Sequence, residues 1–393
     1  RGVRLVLMSL GPLIVQSDKT ALLEVDHPDA AVARHDLSIF AELERAPEHI
    51  HTYRITRLGL WNARAAGHDS EFVLSVLDRY AKFPVPAGVR ADITDTMSRY
   101  GRLTIQRSEQ GDLELHSDSP AILIEASRQR KIADLLAGQL SANSFKIQPF
   151  ARGQVKQELL KLGWPAEDLA GYTPGTPHPI DLAESDNFKI RDYQRAAVDR
   201  FWDGGSGVVV LPCGAGKTIV GAGAMSVAKT NTLILVTNTV SARQWKQELI
   251  KRTTLTEDEI GEYSGSTKEI KPITIATYQV MTTKRQGTYA HLELFDARDW
   301  GLIIYDEVHL LPAPVFRFTA DIQARRRLGL TATLVREDGM EGEVFSLIGP
   351  KRYDAPWKDI EAQGYIAPAD SVEVRVTLPD HERMAYSLAE PEE

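Results

Sequence analysis

Eight residues, Leu211-Pro212-Cys213-Gly214-Ala215-Gly216-Lys217-Thr218, separate an apolar run suited to a strand from a stretch with helical spacing. A strand, a glycine-containing loop and a helix N-terminus gather several backbone N–H groups around one anion, where the helix dipole favours negative charge. The chemistry implied is phosphate binding. Gly214, Ala215 and Gly216 supply the loop backbone, Lys217 reaches the β- and γ-phosphates, and the Thr218 hydroxyl ligates Mg²⁺, so the ligand expected is ATP with Mg²⁺. Leu211 stands where the general G-x-x-x-x-G-K-[ST] pattern has its first glycine.

A second constellation, Leu302-Ile303-Ile304-Tyr305-Asp306-Glu307-Val308-His309, is an apolar strand ending in adjacent carboxylates. Ligands of parallel sheets bind beyond the carboxyl ends of strands, which puts Asp306 and Glu307 in the crevice with Lys217. Asp306 is expected to hold Mg²⁺ through water, and Glu307 to orient and deprotonate the water that attacks the γ-phosphate. His309 follows the pair and is placed to hydrogen-bond towards a third element, Thr331-Ala332-Thr333, beyond which come Arg336-Glu337-Asp338.

These residues need a scaffold. Short apolar runs at Gly207–Leu211, Thr232–Thr237, Ile273–Thr277, Leu302–Tyr305 and Arg327–Thr331 alternate with helical stretches, the pattern of a parallel α/β domain with strands buried on both faces. Upstream, helices are expected over Leu60–Gly67, Glu71–Tyr80 and Ala91–Tyr100. A small α+β unit follows, with strands at Ile122–Glu125 and Phe145–Ile147 and helices at Arg128–Ala137 and Gln154–Leu162, the last ended by Gly163. Tyr172–Pro179, with four turn-formers, reads as a linker. The division expected is a mainly helical region over 1–118, the small unit and linker over 119–180, the P-loop domain over 181–370 and a connecting segment over 371–393.

At 393 residues, and roughly 150 per domain, the chain has room for two to three domains. Its 46 Lys and Arg against 54 Asp and Glu give a net charge of −8, which excludes a bulk polycationic binder and makes any nucleic-acid surface local. Cys213 is the single cysteine, so no intrachain disulfide exists and a reducing, cytoplasmic setting is expected. The apolar Leu5–Val15 run is broken by Pro12 and is too short for a membrane span; Met8 is a candidate native start.

The succession LPCGAGKT, TNTVSARQWKQEL, TIATYQ, YDEVH and LGLTATLVRED resembles the first motor domain of superfamily 2 helicases, and the DEVH and R-E-D elements make it similar to the XPB family of DNA-repair and transcription helicases. The likeness runs from about Lys189 to Pro368. It implies a RecA-like motor domain and an ATP-dependent DNA 3'-5' helicase or translocase, acting in DNA repair of the nucleotide-excision kind. Forked or damaged duplex DNA is the implied partner, with a nuclease or other repair protein as a further one.

By that resemblance Arg191-Asp192-Tyr193-Gln194 is the Q motif, with Gln194 on the adenine edge and Arg191 near the base; Asp192 stands where the eukaryotic pattern has proline. Thr237–Gln247 and Thr274–Gln279 would track the DNA strand. His309, Thr331 and Thr333 would couple hydrolysis to movement, and Arg336, Glu337 and Asp338 would serve DNA opening. Val155–Pro165 resembles the end of the family's damage-recognition domain, and Tyr53–Arg102 the N-terminal extension of bacterial members. About 60 residues follow Thr333 without a Q-x-x-G-R-x-x-R pattern, so the chain is expected to be the N-terminal half of a longer helicase, binding ATP and DNA without unwinding alone. Two other functions share these motifs: a nucleotide-switched DNA-binding or scaffold module, and an RNA helicase.

Three further groups are expected to be structural. His49 and His51 share one face of a strand but make only half a zinc site. Arg325-Arg326-Arg327 is expected at a solvated helix end, and Trp164 and Trp245 as core anchors.

Overall fold

The computed structural model describes residues 10–148, 150–285, 287–334 and 339–367. Strands β1 (Leu13–Val15), β2 (Thr20–Glu24), β3 (Ala41–Arg45) and β4 (Ile50–Ile55) form an antiparallel sheet in the order β1-β2-β4-β3. Helices α1 (Ala30–Leu37), α2 (Arg57–Ala65), α3 (Ser70–Tyr80) and α4 (Ala87–Ser98) pack on it around Leu13, Leu37, Phe40, Leu77 and Ile93. Thr56 and Asp69 set two of the helix starts, their side chains accepting from Gly59 N and Phe72 N. The region expected to be mainly helical carries this sheet besides the helices of Arg57–Ser98. Its short strands are half polar outside and lack a long alternating run. His49 lies beside Asp26 at 3.1 Å, and among the described residues no three His, Cys, Asp or Glu side chains gather as a metal-ligand cluster.

The second unit is a sheet of β5 (Leu103–Arg107), β6 (Leu113–His116), β7 (Leu136–Ser141), β8 (Ser144–Ile147) and β9 (Ala166–Asp168), ordered β7-β8-β6-β5-β9. It therefore draws strands from before residue 118. Helices α5 (Pro120–Arg128), α6 (Arg130–Ala133) and α7 (Arg152–Leu162) complete it. Ile122–Glu125, expected as a strand, lies inside α5: Pro120 sits at the helix start, Leu123 and Ala126 are buried three apart, and Ile124 points out. The helix expected over Arg128–Ala137 is cut short at Ala133, and the chain turns into β7. Gly163 ends α7 in the left-handed conformation, φ 86°.

Tyr172–Pro179 does not hang free. Thr173 N donates to Ala324 O at 2.7 Å and Thr176 N to Asp299 O at 2.9 Å, which lays the segment along the third unit.

That unit is built on β10 (Gly207–Val210), β11 (Thr232–Val236), β12 (Ile260–Tyr263) and β13 (Ile273–Thr277). A small hairpin follows, β14 (Lys284–Arg285) and β15 (Thr288–Tyr289), and then β16 (Leu302–Asp306), β17 (Arg326–Thr331) and β18 (Lys351–Asp354). Seven strands form one wholly parallel sheet, β12-β13-β11-β16-β17-β10-β18. Helices α8 (Asp192–Gly204), α9 (Lys217–Ala228) and α10 (Thr239–Arg252) cover one face, and α11 (Tyr278–Thr282) and α12 (Ala313–Asp321) lie across the other. The five strands read from the sequence are the five central ones. The two edges, IGEY and KRYD, are too short and polar to announce themselves. The edge at β18 is covered by the first unit: Asn62 Oδ1 in α2 accepts from Lys351 N at 2.6 Å.

The arginine run departs from expectation. Arg327, the second residue of a central strand, is 1% exposed and donates to the carbonyls of Leu347 and Gln323, while Arg326 stacks 3.9 Å over Trp202. A long aliphatic stem lets such a cation enter a strand that a charge count alone assigns to solvent.

Candidate nucleotide site

Because every strand of the large sheet points the same way, the loops after β10, β11, β13, β16 and β17 open at one edge. The β10–α9 loop is held on three sides. Leu211 N continues the ladder to Thr331 O at 2.9 Å, and the Leu211 side chain is fully buried, which explains a leucine in place of the first glycine. Gly214 and Gly216 take φ of 79° and 80°, a conformation that side chains resist. Beneath the loop, Ala215 O accepts from Tyr193 Oη at 2.6 Å and Gln194 Nε2 at 2.9 Å.

Gln194 is buried, and its Oε1 accepts from Arg191 N at 3.0 Å. A Cβ on Gly216 would stand 2.4 Å from Gln194 Nε2, so the carboxamide is a prop of the phosphate loop. Arg191 reaches over the same side, its guanidinium 4.5 Å from the Tyr365 ring and its Nη1 3.2 Å from Tyr193 Oη.

Lys217 and Thr218 open α9, and Lys217 Nζ lies 3.3 Å from Glu307 Oε1. Asp306 ends β16 with both carboxylate oxygens engaged: Oδ2 accepts from Trp245 Nε1 at 2.8 Å and Oδ1 from Glu307 N at 3.1 Å. Tyr278 Oη donates to Asp306 O at 2.9 Å. Burial pushes the Asp306 carboxyl above the ordinary carboxylate range, against the Trp245 hydrogen bond that favours its charged form. Glu307 has φ 48°, a left-handed backbone outside glycine, held by its neighbours at the mouth of the cleft.

His309 Nδ1 lies 2.8 Å from Thr331 Oγ1 and 3.5 Å from Glu307 Oε2. Thr331 Oγ1 in turn bonds Thr333, accepting from its N at 3.1 Å and donating to its carbonyl. Glu307, His309, Thr331 and Thr333 thus form one chain of contacts. Asn238 caps α10 through Ser241 N, and Thr277 caps α11 through Val280 N, so the strand-tracking candidates reach the same edge. Arg336, Glu337 and Asp338 lie outside the described residues.

Residues 187–336 match the family model of the type III restriction enzyme res subunit, and residues 13–141 that of a helicase conserved C-terminal domain. The chain is 69% identical to the DNA 3'-5' helicase XPB of Kineococcus radiotolerans, over 98% of this chain and 69% of that protein. It belongs to the XPB family. The namesake from Mycobacterium tuberculosis is 65% identical, over 98% of this chain and 70% of the relative. The XPB/SSL2 subunit of the general transcription and DNA repair factor IIH of Saccharomyces cerevisiae is 29% identical, over 92% and 50%. Among solved structures, the UvsW helicase of bacteriophage T4 aligns at 14% identity with a TM-score of 0.41, covering 64% of this chain and 99% of that one.

Sequence reasoning passed over two residues of this XPB-family site. Trp245 is a core anchor as expected, 2% exposed, and also the donor that fixes Asp306. Tyr193 sits inside the Q-motif tetrapeptide and holds the loop from below. The available signal was the glycine at 221 in α9, since a Cβ there would lie 2.4 Å from the Trp245 ring.

Proposed function

We infer that the protein is an ATP-dependent DNA 3'-5' helicase or translocase working in DNA repair, and that the cleft around Lys217, Asp306 and Glu307 is its ATP site. The observation that carries this reading is the Lys217–Glu307 pair at 3.3 Å, beside a phosphate loop, in a chain of XPB-family sequence. Without phosphate, the lysine and the carboxylate satisfy each other. A bound γ-phosphate would offer Lys217 a stronger counter-charge, and the shift of Lys217 away from Glu307 would free that carboxylate to accept a proton from water. Arg191 and Gln194 would serve the adenine end, Gln194 from its place against Ala215 O, and Gly214, Ala215 and Gly216 would present their backbone to the phosphates.

The donor set suits Mg²⁺ held at one remove. Both Asp306 oxygens already accept a protein N–H, leaving them lone pairs for metal-bound water, and Thr218 provides a hydroxyl at the second position of α9. When bound, the ion would supply neutralisation of phosphate charge. His309 would report the state of Glu307 to Thr331 and Thr333, and onward to Arg336, Glu337 and Asp338 at the DNA. Forked or damaged duplex is the substrate that fits the family, with a nuclease or other repair protein as partner. The single thiol fits a cytoplasmic setting; no helix among the described residues is long and apolar enough to cross a membrane.

ATP turnover measured with duplex, forked DNA and RNA tests the reading. DNA should stimulate hydrolysis and RNA should not; Lys217→Ala should lose nucleotide binding, and Glu307→Gln should bind ATP without splitting it. Equal stimulation by RNA would overturn the DNA assignment, and normal turnover in Glu307→Gln the base assignment.

A further inference from the structure

Tyr365 stands beside the nucleotide cleft with no part in the chemistry assigned to it so far. Its place is set by the helix Trp357–Ala362, which ends in a glycine turn: Gly364 takes φ 72°, its N–H donates to Glu361 O at 2.8 Å, and Tyr365 N donates to Ile360 O at 3.3 Å. This pair of bonds closes a helix and fixes the direction of the chain that leaves it. Ile360, 1% exposed, anchors the helix end in the core of the motor. The turn therefore delivers Tyr365 and Ile366 to the phosphate loop, where a Cβ on Gly214 would lie 3.8 Å from Ile366 Cγ2.

At the loop the Tyr365 ring meets Arg191 and Tyr193. Its centroid lies 5.5 Å from that of Tyr193, with the planes inclined at 46°, and Tyr193 is pinned in turn by its hydroxyl to Ala215 O at 2.6 Å. The Arg191 guanidinium lies 4.5 Å over the Tyr365 ring, and Arg191 Nη1 donates to Tyr365 O at 3.3 Å. A phenol ring and a guanidinium thus present flat surfaces together at this end of the loop. Tyr193, 6% exposed, has no ring surface left to offer, whereas Tyr365 remains 38% exposed. The Gln194 carboxamide is already bonded to Ala215 O and to Arg191 N, which puts the weight of base binding on the flat groups. Aromatic faces and guanidinium planes are the surfaces on which a purine stacks, and such stacking needs no net charge.

We propose that Tyr365 stacks on the adenine of bound ATP, beside the Arg191 guanidinium, and is a base-binding residue of this site. The proposal rests on the reading of the cleft as an ATP site. It separates the ligand into a base held by Tyr365 and phosphates held by the loop.

Isothermal titration of the full chain in Mg²⁺ with ATP, and with tripolyphosphate as a probe that carries phosphates and no base, tests it. Tyr365→Ala should weaken ATP binding about tenfold, the usual effect of losing one base–aromatic stack, and leave tripolyphosphate within about twofold. Tyr365→Trp should restore the affinity for ATP. Should Tyr365→Ala fail to fold, Tyr365→Leu keeps apolar bulk without a π face and should lose ATP affinity to the same extent. The proposal falls if ATP affinity is unchanged, if it tightens, which would make the ring a plug, or if both ligands weaken equally, which would make Tyr365 a support of the loop. Lys217→Ala should weaken both ligands: ATP binding indifferent to that change overturns the ATP-site reading and this proposal with it, whereas a failure confined to the Tyr365 variants leaves the ATP site standing.

Discussion

The indole N–H of Trp245 donates to Asp306 Oδ2 at 2.8 Å, joining the middle of α10 to the end of β16. The bond does more than fill a core. Burial drives the Asp306 carboxyl towards its neutral form, and this donor is the largest of the influences holding it charged. Trp245→Phe keeps an aromatic anchor and removes the donor. With less support for the carboxylate, Asp306 is protonated to a greater extent at any given pH, so the acid limb of DNA-stimulated ATP hydrolysis should move to higher pH. Profiles of kcat/KM against pH check this, and coincident acid limbs in the two proteins would show that the indole only packs.

Gly221 is the counterpart of that indole on α9. A Cβ at this position would stand 2.4 Å from the Trp245 ring, inside a region with no solvent to yield. Overpacking of this kind costs about 1–3 kcal/mol, so Gly221→Ala should lower the urea midpoint without changing the slope. It should also depress turnover, because the ring cannot retreat without leaving Asp306. A variant as stable as the parent would mean that α9 and α10 separate freely.

Much of this site can be read from the residues because phosphate chemistry constrains loop, strand and helix together. Lys217 opens α9 and Asp306 ends β16, and the strands behind them are central and apolar. What escapes is set by tertiary contact. Ile122–Glu125 carries an apolar run that suits either element, and only the partners of Leu123 and Ala126 make it a helix. Arg327 looks solvated until the carbonyls around it are known. The role of Trp245 needs a bond between residues 61 apart in the chain.

His309 bridges Thr331 Oγ1 at 2.8 Å and Glu307 Oε2 at 3.5 Å. Removing the ring breaks the chain of contacts between Glu307 and the strand that carries Thr331. His309→Ala should therefore keep basal ATP hydrolysis within a few-fold while losing most of its stimulation by DNA. Paired rates with and without forked duplex decide it: a proportional fall in both would place His309 in hydrolysis itself.

Asp168 anchors the accessory units through a buried cluster. Arg152 and Lys156 lie one helical turn apart on α7, at 4% and 6% exposure, and both reach the single carboxylate at the end of β9. Helix α7 meets α12 so closely that a Cβ on Gly153 would lie 2.5 Å from Ala320 O, so the cluster sits where the second unit docks on the motor. Asp168→Asn leaves two cations buried without their counter-charge, a change that costs about 3–5 kcal/mol. Burial alone would raise the Asp168 carboxyl, but Lys156 and Arg152 overcome it and hold the group well below its ordinary value of 3.8. A depressed carboxylate adds stability that is complete above the unfolded-state pKa and lost as pH falls through the folded one. The gap in unfolding free energy between the parent and Asp168→Asn should thus be full at neutral pH and shrink below pH 3.8. Urea titrations at a series of pH values measure it, and a gap that stays constant down to pH 3 would show that the charge of Asp168 contributes nothing to the docking.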